Sequence, residues 1–263
     1  MSDLHSASAL AGATIVLTRA TGSAATLRTR VQARGGRVVC VPGLSLRAVV
    51  DAGPLRQRVQ TAMNLAHAAI FNSPAAVRFA FRLLPALDGM LPARVFAVGA
   101  GTQRALARHR VRALAPGGRS DSEALLALPE LADVRGRRIV LMGAAGGRDL
   151  LASTLTARGA QVESMHVYQR EPPRLMQRHF DALAHAADPL LTLISSAAAL
   201  THLVALLPAS LLARLRRQTL VVSSARLAAI ARENGFAQIC VAASALPDDL
   251  IDAAQKALTR HRL

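Results

Sequence analysis

The residues of this chain best suited to chemistry stand where short apolar runs end. Thr18 and Arg19 follow Ile-Val-Leu, Asn72 and Ser73 follow Ile-Phe, and Gly99, Gly101 and Thr102 follow Val-Phe-Ala-Val. Gly143 to Arg148 follow Ile-Val-Leu-Met, and the pairs Ser195–Ser196 and Ser223–Ser224 close two later runs. Nearly all are small, hydroxylated or glycine. Backbone N–H groups and hydroxyls at the start of a helix make a setting for anions. The charge points the same way. Lys and Arg total 32 against 16 Asp and Glu, a formal net charge of +16. Lys256 is the one lysine, so guanidinium groups carry almost all of it. Guanidinium pairs with carboxylate or phosphate oxygens in bidentate fashion, and an anionic partner is expected.

Other chemistries fail on spacing. Gly99-Ala-Gly101-Thr102 begins like a dinucleotide loop, but Arg104 stands where the third glycine belongs, so a tight turn into a helix is expected. Ala144-Ala-Gly-Gly-Arg148 lacks the Gly-Lys-Ser/Thr of a nucleotide-triphosphate loop, although its glycines and arginine suit an anion contact. His179 and His185 are six apart and fall on different faces of any helix. His166 and Tyr168, two apart in the strand-like VESMHVYQRE, are expected on one side, where packing or solvation is the ordinary fate of a strand histidine. Cys40 and Cys240 lie far apart without a Cys-x-x-Cys, which argues against a disulfide framework and a structural zinc site. No Ser-His-Asp or Cys-His set assembles, and no carboxylates pair in an apolar stretch as a glycosidase needs. Aromatic residues are 3% with no Trp, so stacking platforms for single-stranded nucleic acid are lacking. The arginine clusters at 135–138 and 214–217 read as solvated loops. The uncharged stretch 189–213 is long enough for a bilayer, but its polar residues and Pro208 read as a strand followed by a helix. The opening MSDLHSASALAG has no basic n-region or long apolar core, so no signal peptide is read and a cytoplasmic setting is expected.

The elements that must position these residues come in duplicate. With 263 residues, 52% hydrophobic and 18% charged, the chain is long and apolar enough for one large domain or two small ones. IVLTRATGSAATLRTRVQARGGRVV lies on IVLMGAAGGRDLLASTLTARGAQVE at an offset of 124 residues, with Ile15 on Ile139, Gly22 on Gly146 and Gly35 on Gly159. At almost the same offset, AAIFNSPAAVRFAFRLLP matches LTLISSAAALTHLVALLP, and VFAVGAGTQRALAR matches LVVSSARLAAIAR. Each block is a continuous apolar strand, a small-residue turn and an amphipathic helix. Alternation of that kind predicts α/β architecture: doubly wound parallel sheets covered on both faces, in two similar domains. Ligands then sit at the carboxyl ends of the strands.

In order and spacing these motifs resemble the uroporphyrinogen-III synthase family. The likeness runs over nearly the whole chain, through IVLTRA, FNSPAAV, AVGAGT, SDSEALLALPEL, AAGGRDLLASTLTARGAQVESMHVYQR, LISSAAA and VVSSARLAAIARENGF. The resemblance implies two flavodoxin-like domains joined by a two-stranded connector. Residues 1–42 and 170–263 would form the first domain, 47–162 the second, and 38–46 with 162–171 the connectors. It also implies a cytoplasmic lyase of tetrapyrrole biosynthesis. The substrate would be hydroxymethylbilane, a linear octacarboxylate held in the cleft between the domains. It would be cyclised with inversion of ring D and loss of water, with neither metal nor organic cofactor. Tyr168, the single tyrosine, falls on a tyrosine of the family and becomes the expected proton donor, because a phenol keeps its proton at neutral pH. Arg19 matches a family arginine and is the expected carboxylate contact. Ser73, Gly99, Thr102, Arg148, Ser195, Ser196, Ser223 and Ser224 complete the expected substrate-binding set. Gly143 departs from the pattern, standing where relatives commonly have an arginine, with Arg148 or Arg170 as substitutes. The expected partners are the small-molecule substrate and a transient contact with the preceding deaminase, for a monomer that binds neither nucleic acid nor membrane. Two other readings stand beside this one: an intracellular two-domain small-anion binding protein, and an inactive relative that keeps the fold.

Overall fold

A computed structural model describes residues 9–20, 22–118, 121–146 and 149–262. Among the described residues there are ten strands: β1 (Thr14–Leu17), β2 (Arg37–Cys40), β3 (Ser45–Ala48), β4 (Ala68–Phe71), β5 (Arg94–Ala97), β6 (Arg138–Ala144), β7 (Gln161–Glu171), β8 (Leu190–Ile194), β9 (Thr219–Val222) and β10 (Ile239–Val241). They make two five-stranded sheets, ordered β10-β9-β8-β1-β2 and β3-β7-β6-β4-β5. The pairs β1·β2, β1·β8, β8·β9 and β9·β10 run parallel, as do β4·β5, β4·β6 and β6·β7. The chain divides into two compact units, Met1–Ser45 with Glu171–Leu263, and Leu46–Arg170.

In the first unit β1, β8 and β9 are buried along their whole length, as strands covered by helices on both faces must be. Successive residues feed opposite faces. Ile15 and Leu17 enter a core closed by Leu27 and Val31 of the helix Ala25–Ala33 and by Leu250, Ile251 and Ala254 of the helix Pro247–Arg262. Val16 points the other way, among Leu200, Leu203, Leu212, Leu215, Leu227 and Ala228. The uncharged stretch from Pro189 breaks as its composition suggests, into β8 and the helices Ala197–Leu206 and Ala209–Arg217. Among the described residues no helix is long and apolar enough to cross a membrane.

The second unit repeats the plan. Ala69 and Phe71 of β4 enter one core, with Val59, Met63, Phe79 and Leu106, while Ala68 and Ile70 enter another, with Leu125, Leu151 and Leu155. Its strand run β5-β4-β6-β7 corresponds to β9-β8-β1-β2 of the first unit. Each sheet therefore combines the front of one sequence repeat with the back of the other. Where the first unit has β10 beside β9, the second has an isolated parallel bridge, Leu114 beside Phe96 of β5.

Candidate active site

The carboxyl end of the second unit's sheet gathers part of the expected set. Ser73 takes extended backbone after β4, and its Oγ accepts the Ala76 N–H at 3.1 Å, capping the helix Pro74–Leu83 with Pro74 at its start. The same Oγ lies 3.3 Å from the Tyr168 hydroxyl. Tyr168 is 3% exposed, and its ring stacks on Phe79 with centroids 5.3 Å apart. A residue 95 positions away is thus held against a helix N-terminus by ring packing and a hydroxyl pair. The placement depends on a β-bulge. Gly143 of β6 faces His166, and the next residue, Ala144, faces Tyr168, so Val167 is one residue extra on β7. Val167 and Tyr168 are both buried while His166 is exposed. The expectation that His166 and Tyr168 share a side is therefore wrong, because the bulge reverses the alternation between them.

Gly99 caps the helix Ala100–Ala107, its carbonyl accepting from Thr102 N at 2.9 Å and Gln103 N at 3.0 Å. Thr102 is 3% exposed and shares its helix face with buried Leu106. Gly143 is tight. A Cβ there would lie 2.9 Å from Nδ2 of Asn72, so a side chain at 143 requires Asn72 to move. Arg148 lies outside the described residues.

The first unit carries its own strand-end group. Arg19, after β1, is partly buried; its Nη2 donates to the Ala245 carbonyl at 2.6 Å, and its Nε is buried without a hydrogen-bond partner. Burial pushes the guanidinium pKa below its ordinary value. Among the described residues no carboxylate pairs with it, in contrast to Arg30 and Arg34, which meet Asp248, and Arg214, which meets Asp188 at 3.0 Å. A partly buried guanidinium without a carboxylate partner among the described residues has the chemistry that suits an anion. Ser224 caps the helix Ala225–Glu233, accepting from Leu227 N at 3.3 Å. Ser196 precedes the helix Ala197–Leu206 without a side-chain cap, and among the described residues no hydrogen bond occupies the hydroxyls of Ser195, Ser196 or Ser223.

Two residues that sequence reasoning missed set this loop. Gly43 N donates to Thr18 O at 2.8 Å, Thr18 Oγ1 donates to Leu193 O at 2.8 Å, and His202 Nδ1 meets Gly43 O at 2.8 Å. His202 is 159 positions from Gly43, and no local pattern signals such a contact. Among the described residues no group of three His, Cys, Asp or Glu side chains converges as metal ligands would.

Comparison with known proteins fits this arrangement. The family model described as uroporphyrinogen-III synthase HemD matches residues 25–252. The uroporphyrinogen-III synthase of Salmonella typhimurium LT2 is 39% identical over 171 residues, 62% of this chain and 67% of that protein. That of Escherichia coli K12 is 38% identical over 169 residues, 61% of this chain and 66% of its own length. The aligned stretches thus span about two thirds of these relatives. In fold, the chain is similar to the uroporphyrinogen-III synthetase of Helicobacter pylori 26695, with a TM-score of 0.60 at 13% identity over 92% of this chain and 98% of that one. It is also similar to a mutant uroporphyrinogen III synthase of Thermus thermophilus, with a TM-score of 0.56 at 20% identity over 95% and 100% of the two chains. With a matching family model across residues 25–252, the chain belongs to the uroporphyrinogen-III synthase family of enzymes.

Proposed function

We propose that this chain acts as a lyase on hydroxymethylbilane, closing the linear tetrapyrrole to uroporphyrinogen III with loss of water. The observation that carries the reading is the buried Tyr168 hydroxyl, paired with Ser73 at the mouth of a capped helix. As the hydroxymethyl C–O bond of ring A breaks, the Tyr168 O–H gives its proton to the departing hydroxide, which leaves as water. The electron pair needed comes from the ring A nitrogen, which leaves an azafulvene. The substituted α-carbon of ring D attacks the former hydroxymethyl carbon and forms a spiro intermediate. The bond from that ring D carbon to the bridge from ring C then breaks, leaving a second azafulvene on ring C. The free α-carbon of ring D attacks the bridge carbon, and the proton it loses on rearomatisation restores the phenol. The azafulvene is reactive without help, so holding the chain of pyrroles in one shape selects the product. That task suits distributed donors: Arg19, the hydroxyls of Ser195, Ser196, Ser223 and Ser224, the turn at Gly99 and Thr102, and Arg148.

A coupled assay tests the reading, with hydroxymethylbilane made in situ by the deaminase and the oxidised porphyrin isomers separated by chromatography. Without a synthase the bilane cyclises spontaneously to isomer I. Dominant isomer III is the expected result. Isomer I alone from folded protein would instead support a binding protein or an inactive relative.

A further inference from the structure

We infer that Asn72 is a substrate-binding residue, its side-chain amide laid over Gly143 to donate a hydrogen bond to a substrate carboxylate beside the Ser73–Tyr168 pair. The inference rests on the function proposed above and adds a residue to that site. Its backbone is fixed, since Asn72 N donates to Met142 O at 3.0 Å and continues the β4·β6 ladder past the end of β4. The side chain is exposed, and among the described residues no hydrogen bond engages its amide. It occupies the space a side chain at Gly143 would take, with Nδ2 2.9 Å and Cγ 3.5 Å from the position of a Cβ there. The amide lies over a residue without a side chain and leaves its hydrogen-bonding capacity unspent, so it is available to a ligand.

Its position supplies the ligand's chemistry. The next residue, Ser73, has its hydroxyl 3.3 Å from Tyr168 Oη, so residue 72 adjoins the residue that pairs with the phenol. The buried phenol and the capping serine face a helix start, where negative charge is stabilised. An amide NH2 at that mouth adds a neutral donor, and the anionic groups of the proposed substrate are carboxylates. Glycine at 143 is then a requirement of the site, because any Cβ displaces the amide.

The test uses the full chain with Asn72→Ala, Asn72→Asp, Gly143→Ala and the double variant Asn72→Ala/Gly143→Ala. Hydroxymethylbilane turnover gives KM and kcat, and calorimetric titration with uroporphyrin III, a stable octacarboxylate, gives affinity without turnover. Asn72→Ala should raise KM and weaken uroporphyrin binding about tenfold, as for a lost hydrogen bond to a charged group, with kcat within about twofold of wild type. Asn72→Asp should weaken both further, because it sets a carboxylate against a carboxylate. Gly143→Ala should match Asn72→Ala, and the double variant should be no worse than either single change, since removing the amide leaves room for the new methyl. Unchanged KM and affinity in both Asn72 variants overturn the proposal, as does a kcat loss with KM and affinity intact. Failure of wild type to make isomer III while it still binds uroporphyrin overturns the proposed reaction alone, and the titrations then decide the role of Asn72.

Discussion

Tyr168 and Arg19 put different demands on the protein, and substitution should separate them. On the proposed path Tyr168 would give up a proton as the azafulvene forms, so its hydroxyl would act in the transition state. Tyr168→Phe keeps the ring that stacks on Phe79 and removes only the O–H. We expect kcat to fall about 10- to 100-fold, at the low end for a general acid because the leaving group departs readily, with KM and melting temperature near wild type. Wild-type kcat in that variant would remove Tyr168 from the reaction. Arg19 is proposed to bind charge, and the hydrogen bond from Nη2 to Ala245 O orients its guanidinium. Arg19→Lys keeps the charge and loses the fork, so KM should rise about tenfold with kcat retained; an unchanged KM would assign Arg19 to holding its loop. Both candidates stand out in the sequence, Arg19 by its place after an apolar run and Tyr168 by its place in a family motif. The orientation of Tyr168 was not. Alternation along a strand is a local rule, and the bulge opposite Gly143–Ala144 that breaks it is set by pairing with another strand.

At the scale of elements, the strand–turn–helix grammar decides where donors stand, and caps decide how firmly. Ser73 and Ser224 were readable because serine or Ser-Pro before an apolar helix is a start signal, and both hydroxyls accept a helix N–H. Ser196 aligns with Ser73 in the duplication but makes no cap, so one sequence position has two fates in the two units. The Thr18–Gly43–His202 contacts were invisible for the opposite reason: they join segments distant in sequence, and neither glycine after proline nor a helical histidine announces its partner. Gly43 has no room. A Cβ there would lie 2.7 Å from Ala199 Cβ and 2.9 Å from its Cα and carbonyl oxygen. Because part of the obstruction is backbone, Gly43→Ala should destabilise the protein by about 2–3 kcal/mol, lowering the melting temperature by roughly 4–10 °C. Adding Ala199→Gly should recover only a small part of that loss, since it removes the opposing methyl but leaves the backbone obstruction and weakens the helix by up to about 1 kcal/mol. A Gly43→Ala protein that melts like wild type would mean the helix Ala197–Leu206 slides aside without cost.

The whole molecule adds what no single residue supplies, a field. The parallel α/β architecture was readable from three repeated blocks. The exchange of halves, which puts β8 beside β1 and β4 beside β6, does not follow from the repeat. Local pattern makes a strand but does not choose its neighbour. Charge, in contrast, is readable before folding: +16 over 263 residues, almost all guanidinium. An octacarboxylate approaching such a surface is attracted over distances set by salt, about 10 Å at 0.1 M and about 3 Å at 1 M. On the proposed reading, once bound it would meet partly buried donors such as Arg19, which salt screens far less. The two contributions therefore separate with ionic strength. Raising potassium chloride from about 0.05 to about 0.5 M should increase KM roughly tenfold through slower capture, while kcat and the fraction of isomer III stay constant. A kcat that falls in parallel with KM would show that the distributed charge shapes the reacting tetrapyrrole as well as gathering it. A KM indifferent to salt would leave the arginine excess with no part in catalysis, and confine recognition to the strand-end sites.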